Sequence, residues 1–341
     1  MTDQEVVPFR RGFQLPIQAI DQGVSIEHKT RRFLKTDDGV GKFGLFARKA
    51  TDAVFVEALR FNQRLNIDLV AKAGERTHIA ARAAAISATH LVVQKAALEL
   101  DVAPDEFEAL EPRLRHGRPL LQIADALING SGLCRRLCEA DANGRPDIVR
   151  MIEEILTAKS EWPLADFMDP DHEAQCATSC YMCIQQYQNR RYHPLLDWRL
   201  GFAYLRAMTD PTYQCGLDGN FDGHPELNGW LRKAHALAES VASMRPRFWR
   251  AERAGPMGLP CLIETDGQQR VNRRLIVIHP LWRADPTLVS RLGVASPGNR
   301  TILVDTFDLE RRPLRALEMA GDRPPVPVFV QRTNGLSVPT I

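Results

Sequence analysis

Three cysteines lie within eight residues of this 341-residue chain, at Cys176, Cys180 and Cys183, with His172 shortly before them and His193 shortly after. Thiolate and imidazole are ligands that zinc prefers, and a structural zinc site takes four of them in a tetrahedron. The first eight residues have neither the basic start nor the apolar core of a secretory signal, so disulfides are not expected. The spacing therefore predicts a zinc site that uses all three cysteines.

The fourth ligand must come from outside the cysteine run. We expect His193, because the nine residues that separate it from Cys183 can loop out and return, and Pro194 fixes the chain beside it. His172 is only four residues from Cys176 and is a second choice. The remaining alternatives are Cys215 and the pair Cys134 and Cys138, which share one helix face and are also read as small buried hydrophobic residues.

Bulk composition describes an ordinary globular protein, 44% hydrophobic and 25% charged, with a net charge of +2. An odd number of cysteines, seven, argues against a disulfide framework. No apolar run approaches the roughly 20 residues that a membrane-spanning helix needs. We therefore expect a cytoplasmic protein with no membrane partner.

Hydrophobic patterning divides the chain into three segments. Short runs bounded by Gly and Asp predict a small sheet in residues 1–72. Apolar residues at helical spacing predict a mainly helical segment over 73–254, with helices over 77–101, 133–140, 147–158, 195–208 and 226–244. Short branched apolar runs predict an α/β module over 255–341 that ends in an extended tail from Pro324. The expected fold class is α+β.

Positive charge accumulates towards the C-terminus. Residues 241–341 hold 15 Lys and Arg against 9 Asp and Glu, whereas residues 1–240 hold 29 against 33. Arginines alternate with aromatic side chains there, a pattern that suits a nucleic-acid backbone and its bases. The candidate nucleic-acid residues are Arg190, Arg245, Arg247, Phe248, Trp249 and Arg250. Arg31, Arg32 and Lys35 form a second candidate patch.

Motifs for other chemistry are weak. The glycines of residues 39–44 lack the spacing of a phosphate-binding loop, since Phe43 follows the lysine where Ser or Thr is required. Asp125, Asp197 and Glu226 have no acid or histidine partner at a telling spacing, and we interpret them as structural. A nuclease site near Glu264 is not expected, because the lysine that should follow is missing.

The segment from Cys176 to Leu200 resembles the zinc-binding domain of the MrfA family. The resemblance rests on Cys176, Cys180 and Cys183, continues through Tyr187, Asn189, His193 and Asp197, and extends more diffusely over residues 75–210. That domain lies at the C-terminal end of superfamily-two helicases and also occurs in the DrmB component of the DISARM anti-phage system. The family's fourth cysteine aligns with Asn189, so only three ligands carry over.

Two functions follow as hypotheses. The resemblance implies a non-catalytic, zinc-binding accessory subunit that docks on a helicase or translocase carried by a separate chain and acting on DNA, plausibly in phage defence. The alternative is a zinc-dependent hydrolase or nuclease whose site lies between the cysteine cluster and the C-terminal strands.

Overall fold

A computed structural model describes residues 2–6, 13–16, 40–43, 47–67, 79–115, 118–157, 166–266, 268–295 and 300–319. Runs of strands and runs of helices follow one another along it, without regular alternation, which agrees with the α+β class. The candidate patch of Arg31, Arg32 and Lys35 and the tail from Pro324 lie outside the described residues.

Most helices lie in the middle of the chain, where helices were predicted, and most of them are shorter than predicted. Nine α-helices occur in the described residues: α1 Ile79–Glu99, α2 Leu133–Leu137, α3 Asp147–Leu156, α4 Pro170–Gln175, α5 Trp198–Thr209, α6 Trp230–Met244, α7 Pro286–Arg291, α8 Thr306–Arg311 and α9 Pro313–Met319.

Strands are more numerous than the sequence suggests: β1 Thr2–Val6, β2 Phe13–Pro16, β3 Val40–Phe43, β4 Ala47–Thr51, β5 Ala53–Glu57, β6 Phe107–Ala109, β7 Arg113–Arg115, β8 Arg118–Asp125, β9 Trp249–Ala254, β10 Leu259–Thr265, β11 Val271–Ile278 and β12 Arg300–Asp305. β6 to β9 fall in the segment expected to be mainly helical. The glycine-rich stretch at 39–44 lies in the segment expected to form a small sheet, and it contains β3.

Two four-stranded sheets flank the helices. In one, β8 pairs antiparallel with β5, β6 and β7. The other has the order β12-β11-β10-β9, and only its β11–β12 pair is parallel. The C-terminal strands were expected to resemble a parallel α/β sheet, and antiparallel hairpins prevail because β9, β10 and β11 are joined by short turns. β1 pairs with β4 and β2 with β3, both antiparallel.

Helix α1 lies at the centre and not at the surface. Its sequence pattern suggested one apolar face, yet 16 of its 21 residues are buried. Alanines permit this, and so does Gly201 on α5, where an added Cβ would lie 2.8 Å from Leu91 Cδ1 and 3.0 Å from Cβ of Ser87. The two helices therefore approach closely, directly beside the cysteine segment.

The predicted segments share one hydrophobic core that runs from Val54 to Ala316. β5 pairs with β8 across the boundary placed after residue 72. The boundary placed after residue 254 falls in the turn between β9 and β10, which pair with each other. The core is therefore continuous between the helices and both large sheets.

A turn over Asn129–Gly132 shows how a buried carboxylate organises a loop. Asp125 accepts hydrogen bonds from the backbone N–H groups of Ser131, Gly132 and Cys134 at 2.7 to 2.8 Å. Burial raises the pKa of Asp125, and the hydrogen bonds from Cys134 and the neighbouring backbone outweigh it, so the pKa lies below its usual value. This geometry agrees with a structural role for Asp125.

Candidate metal centre

Helix α4 presents the first two donors. Asp169 caps it by accepting hydrogen bonds from the N–H groups of Asp171 and His172, and Pro170 suits the first helical position. Cys176 follows the last residue of the helix. The four-residue separation therefore brings His172 and Cys176 to the same side.

A tight turn presents the other two donors. The N–H of Cys183 donates to the carbonyl of Cys180 at 3.1 Å, and the N–H of Gln185 donates to the same carbonyl at 3.0 Å. The side-chain amide of Gln94 on α1 donates a 2.8 Å hydrogen bond to the carbonyl of Cys183 in this turn. The turn is therefore held against the central helix.

His172, Cys176, Cys180 and Cys183 form one group whose donor atoms all lie within 4.8 Å of one another. The Sγ atoms of Cys176 and Cys183 are 3.7 Å apart, and Sγ of Cys180 is 3.5 Å from Nε2 of His172. The group could hold a metal ion. All seven cysteines of the chain are free thiols.

A backbone carbonyl holds the ring of His172 in one orientation. Its Nδ1 lies 2.9 Å from the carbonyl oxygen of Phe167, which can only accept, so Nδ1 carries the proton. Nε2 then turns a lone pair towards the thiols. This arrangement, in which a carbonyl orients the ring, is typical of histidines that bind metals.

The Sγ atoms of Cys176 and Cys183 lie within hydrogen-bonding distance of each other, 3.7 Å apart. A hydrogen bond from Cys176, aided by backbone N–H donors, lowers the pKa of Cys183 to about 5, although burial opposes it. The same hydrogen bond, and then burial, raises the pKa of Cys176 well above its usual value. Two adjacent buried thiolates would repel each other, and a divalent cation between them would offset that repulsion.

His193, the expected fourth ligand, lies outside this group. Its Nε2 is 3.0 Å from both the carbonyl of Gln186 and Oδ1 of Asn189. The ring thus closes the turn that follows the cysteines, and the structure brings His172 to the three thiols in its place. The helical spacing of four between His172 and Cys176 was the signal for this, and the direction of the entering chain was what the sequence left open.

The other alternative ligands have separate surroundings. Cys215 Sγ lies 3.3 Å from Nδ1 of buried His279, and burial raises the pKa of this thiol. Cys134 is buried with its Sγ 3.5 Å from the carbonyl of Ile123, and Cys138 is exposed. None of the three belongs to the metal-binding group.

Hydrogen bonds hold the side chain of Asn189 inside the turn that follows the cysteines. Its side-chain amide donates to the carbonyl of Ile184 at 2.8 Å, and its Oδ1 accepts from the N–H of Gln186 at 2.8 Å. The residue is buried. It therefore stabilises the turn by hydrogen bonds.

The candidate nucleic-acid residues of the C-terminal half differ in their exposure and in their contacts. Arg245, Arg247 and Arg250 are exposed, and Arg250 is paired with Glu252 at 2.7 Å. Phe248 is 41% exposed, whereas Trp249 is buried beneath Arg273. Trp249 therefore offers no free ring face for stacking. Arg190 is exposed and lies in residues 174–196, which we call the cysteine loop.

A cavity of about 590 Å³ lies between the cysteine cluster and the C-terminal elements, lined by Cys176 and Asp197 on one side and by His279, Thr306 and Glu310 on the other. Asp197 caps α5 by accepting from the N–H of Leu200 at 3.2 Å, and burial raises the pKa of its carboxyl. Arg311 lies 3.7 Å from it.

Glu226 also borders this cavity, with its carboxylate fully engaged. Arg206 contacts both carboxylate oxygens, at 2.7 and 3.2 Å, and Tyr213 donates to one of them at 3.0 Å. The side chain of Glu226 is buried. Such a network suits a structural role better than proton transfer.

None of the helices in the described part of the chain combines the length and apolar character needed to cross a membrane. Comparison with protein-family models, with curated proteins and with solved structures gives no match to this chain.

Proposed function

We propose that His172, Cys176, Cys180 and Cys183 hold a structural zinc ion. The observation that carries this proposal is the mutual distance of the four donors. A tetrahedral zinc with bonds of about 2.3 Å to sulfur and about 2.0 Å to nitrogen separates two sulfurs by about 3.8 Å and a sulfur from a nitrogen by about 3.5 Å. Two of the six donor pairs in the chain match these values, at 3.7 and 3.5 Å, and all six lie within 4.8 Å.

Four protein ligands make this a closed site. A catalytic zinc keeps one position for water or substrate, whereas a structural zinc is fully coordinated by the protein. The ion would join α4, the cysteine turn and, through Gln94, the central helix α1. Zinc would therefore contribute folding free energy in place of chemistry.

Metal analysis of purified wild-type and variant chains tests the site. We expect about one equivalent of zinc in the wild type, a large loss in His172→Ala, and full retention in the matched control His193→Ala. Cobalt substitution adds a spectroscopic readout, because sulfur-to-cobalt charge transfer reports the thiolates directly. Less than about a tenth of an equivalent of zinc in the wild type would overturn the proposal.

We propose further that the chain is a non-catalytic accessory subunit of a helicase or translocase acting on DNA, plausibly in anti-phage defence. The support is the resemblance to the MrfA zinc-binding domain, together with a closed metal site that leaves no coordination position for a substrate. The motor would be a separate chain. Co-purification of a tagged chain from its native host tests this, and the absence of any helicase or translocase subunit among the partners would contradict it.

One observation favours a second function, a zinc-dependent hydrolase or nuclease. The 590 Å³ cavity has Cys176 in its wall and reaches the C-terminal elements, where such a site was expected. Cys180→Ser separates the two functions. A structural zinc predicts that this variant loses its fold and solubility, whereas a catalytic zinc predicts a folded variant that has lost only hydrolytic activity.

A further inference from the structure

The cysteine loop exposes several large side chains that a monomer would ordinarily cover. Tyr181 is 67% exposed, Met182 is 85% exposed and Tyr187 is 70% exposed, all within seven residues. Adjacent exposed aromatic and apolar groups mark binding surfaces, whereas isolated ones need no explanation. We call Tyr181, Met182, Tyr187, Arg190 and Arg191 the tyrosine face.

Internal contacts hold the two tyrosines on one turn. The ring of Tyr181 meets that of His193 edge-on, with centroids 5.4 Å apart. His193 is in turn bound to the carbonyl of Gln186, the residue before Tyr187. The two rings are therefore presented by the same ordered loop. His193, which lies outside the metal group, therefore positions Tyr181 and the turn that carries Tyr187.

Charge in this loop has one sign. Residues 174–196 contain Arg190 and Arg191 and neither Asp nor Glu, in a chain with 42 acidic residues. The guanidinium groups lie against aromatic rings, that of Arg190 being 4.4 Å from the centroid of Tyr187 and that of Arg191 4.7 Å from the centroid of Tyr192. Tyr192 is buried, so Arg190 is the cation that lies beside an exposed aromatic ring, and such a pair suits a ligand that offers phosphates and flat rings.

A cavity of about 350 Å³ adjoins the face and is lined by amide side chains of the same loop, Gln186, Gln188 and Asn189, together with Arg191 and Tyr192. His90 forms part of its wall, and its buried Nε2 has no hydrogen-bond partner among the described residues. Asp105 and Glu108 also line the cavity. The amides of Gln186 and Gln188 can bond the edges of a nucleobase, whereas the two acids repel phosphate from this cavity.

We propose that the tyrosine face binds single-stranded DNA, with bases stacked on Tyr181 and Tyr187 and the backbone beside Arg190 and Arg191. Base faces are accessible only in single strands, because a duplex buries them by stacking. The inference rests on the proposed function in one respect, since the metal centre orders the loop. It also places the contact with DNA on the cysteine loop and away from residues 245–250.

Fluorescence anisotropy with a labelled oligothymidine single strand tests the proposal on the full-length, zinc-loaded chain. Tyr181→Ala and Tyr187→Ala should each raise Kd about tenfold, since stacking on an aromatic ring is worth about 1–3 kcal/mol per base. Tyr187→Phe keeps the ring and should bind like the wild type. Phe248→Ala is the matched control from the other candidate surface and should leave Kd unchanged.

Salt dependence separates phosphate contacts from stacking. Arg190→Ala should reduce the slope of log K against log salt by about 0.7, the value for one phosphate contact with a single strand. Arg232→Ala, another exposed arginine, should leave the slope unchanged. A blunt duplex should bind at least tenfold more weakly than the single strand.

Unchanged affinity in both tyrosine-to-alanine variants would overturn the inference, as would equal affinity for duplex and single strand or no binding at low salt. Zinc content is measured in every preparation. A wild type without zinc refutes the metal centre, whereas one equivalent of zinc in variants that bind DNA like the wild type refutes the tyrosine face alone.

Discussion

At the scale of single residues, burial decides what the histidines can do. His279 lies among Trp230, Trp282 and Cys215, with ring centroids 5.4 and 6.3 Å from the two tryptophans. Burial lowers its pKa from 6.5 to about 3. Its Nδ1 accepts a hydrogen bond from the N–H of Leu281, so the ring is neutral with its proton on Nε2.

This buried histidine predicts an acid-sensitive fold. Between pH 6.5 and 3 the unfolded chain takes up a proton at His279 and the folded chain does not, so this contribution to stability is complete above 6.5 and is lost as the pH falls. His279→Gln should reduce the stability loss between pH 7 and pH 5 by about 2 kcal/mol relative to the wild type.

Urea unfolding at several pH values measures this difference. His235→Gln is the control, because His235 is a half-buried histidine whose Nε2 lies 2.9 Å from the carbonyl of Gly258. Comparing variant with wild type at each pH cancels any common effect of metal loss. Parallel stability curves for wild type and His279→Gln would contradict the assignment of His279 as a buried neutral residue.

At the scale of elements, the contact between α1 and α5 positions the metal centre. The hydroxyl of Ser87 on α1 accepts a hydrogen bond from the backbone N–H of Asp197 at 2.9 Å. The backbone N–H of Trp198 donates to the carbonyl of Thr178 at 3.0 Å. The start of α5 is therefore tied both to the central helix and to the cysteine loop. Movement of α5 away from α1 would pull on the loop that carries the ligands.

Gly201→Val tests this contact. The new side chain would overlap Leu91 and Ser87, and overpacking costs about 1–3 kcal/mol, more than the helix propensity gained by removing a glycine. We expect the free energy of unfolding to fall by about 2 kcal/mol, measured by urea titration, and zinc affinity to fall with it. Ala236→Val on the exposed side of α6 is the control and should cost about 0.5 kcal/mol. Equal stability of the two variants would show that α1 and α5 pack loosely.

At the scale of the whole molecule, contacts distant in sequence surround the cysteine loop. Arg311 on α8 donates to the carbonyls of Pro194 and Leu196 at 3.1 and 3.3 Å. Leu65 forms a bridge with Trp282, so the N-terminal and C-terminal segments also touch. The candidate metal centre is thus held between the central helix α1 and, through Arg311, the helix α8 near the C-terminal end of the described residues.

Local information in the sequence was enough to predict that the three cysteines lie in one group that could hold a metal ion, and to predict most helices. Thiol spacing within one turn is a short-range property, and the apolar periodicity of α1, α3 and α6 reflects burial of one side or more. The α+β class followed from the same patterns. The strands β6 and β7 were missed because they are three residues long and carry charged residues.

The tertiary structure decided which histidine completes the group. His172 lies four residues before Cys176 and His193 ten residues after Cys183, and the choice depends on the direction in which α4 enters and on the carbonyl of Phe167 that orients the ring. The same holds for Trp249, which is covered by Arg273 of β11, two strands away in the same sheet. Residue types and short spacings fix which chemistry is possible, whereas long-range packing fixes which side chains meet, because those contacts join residues far apart in the chain.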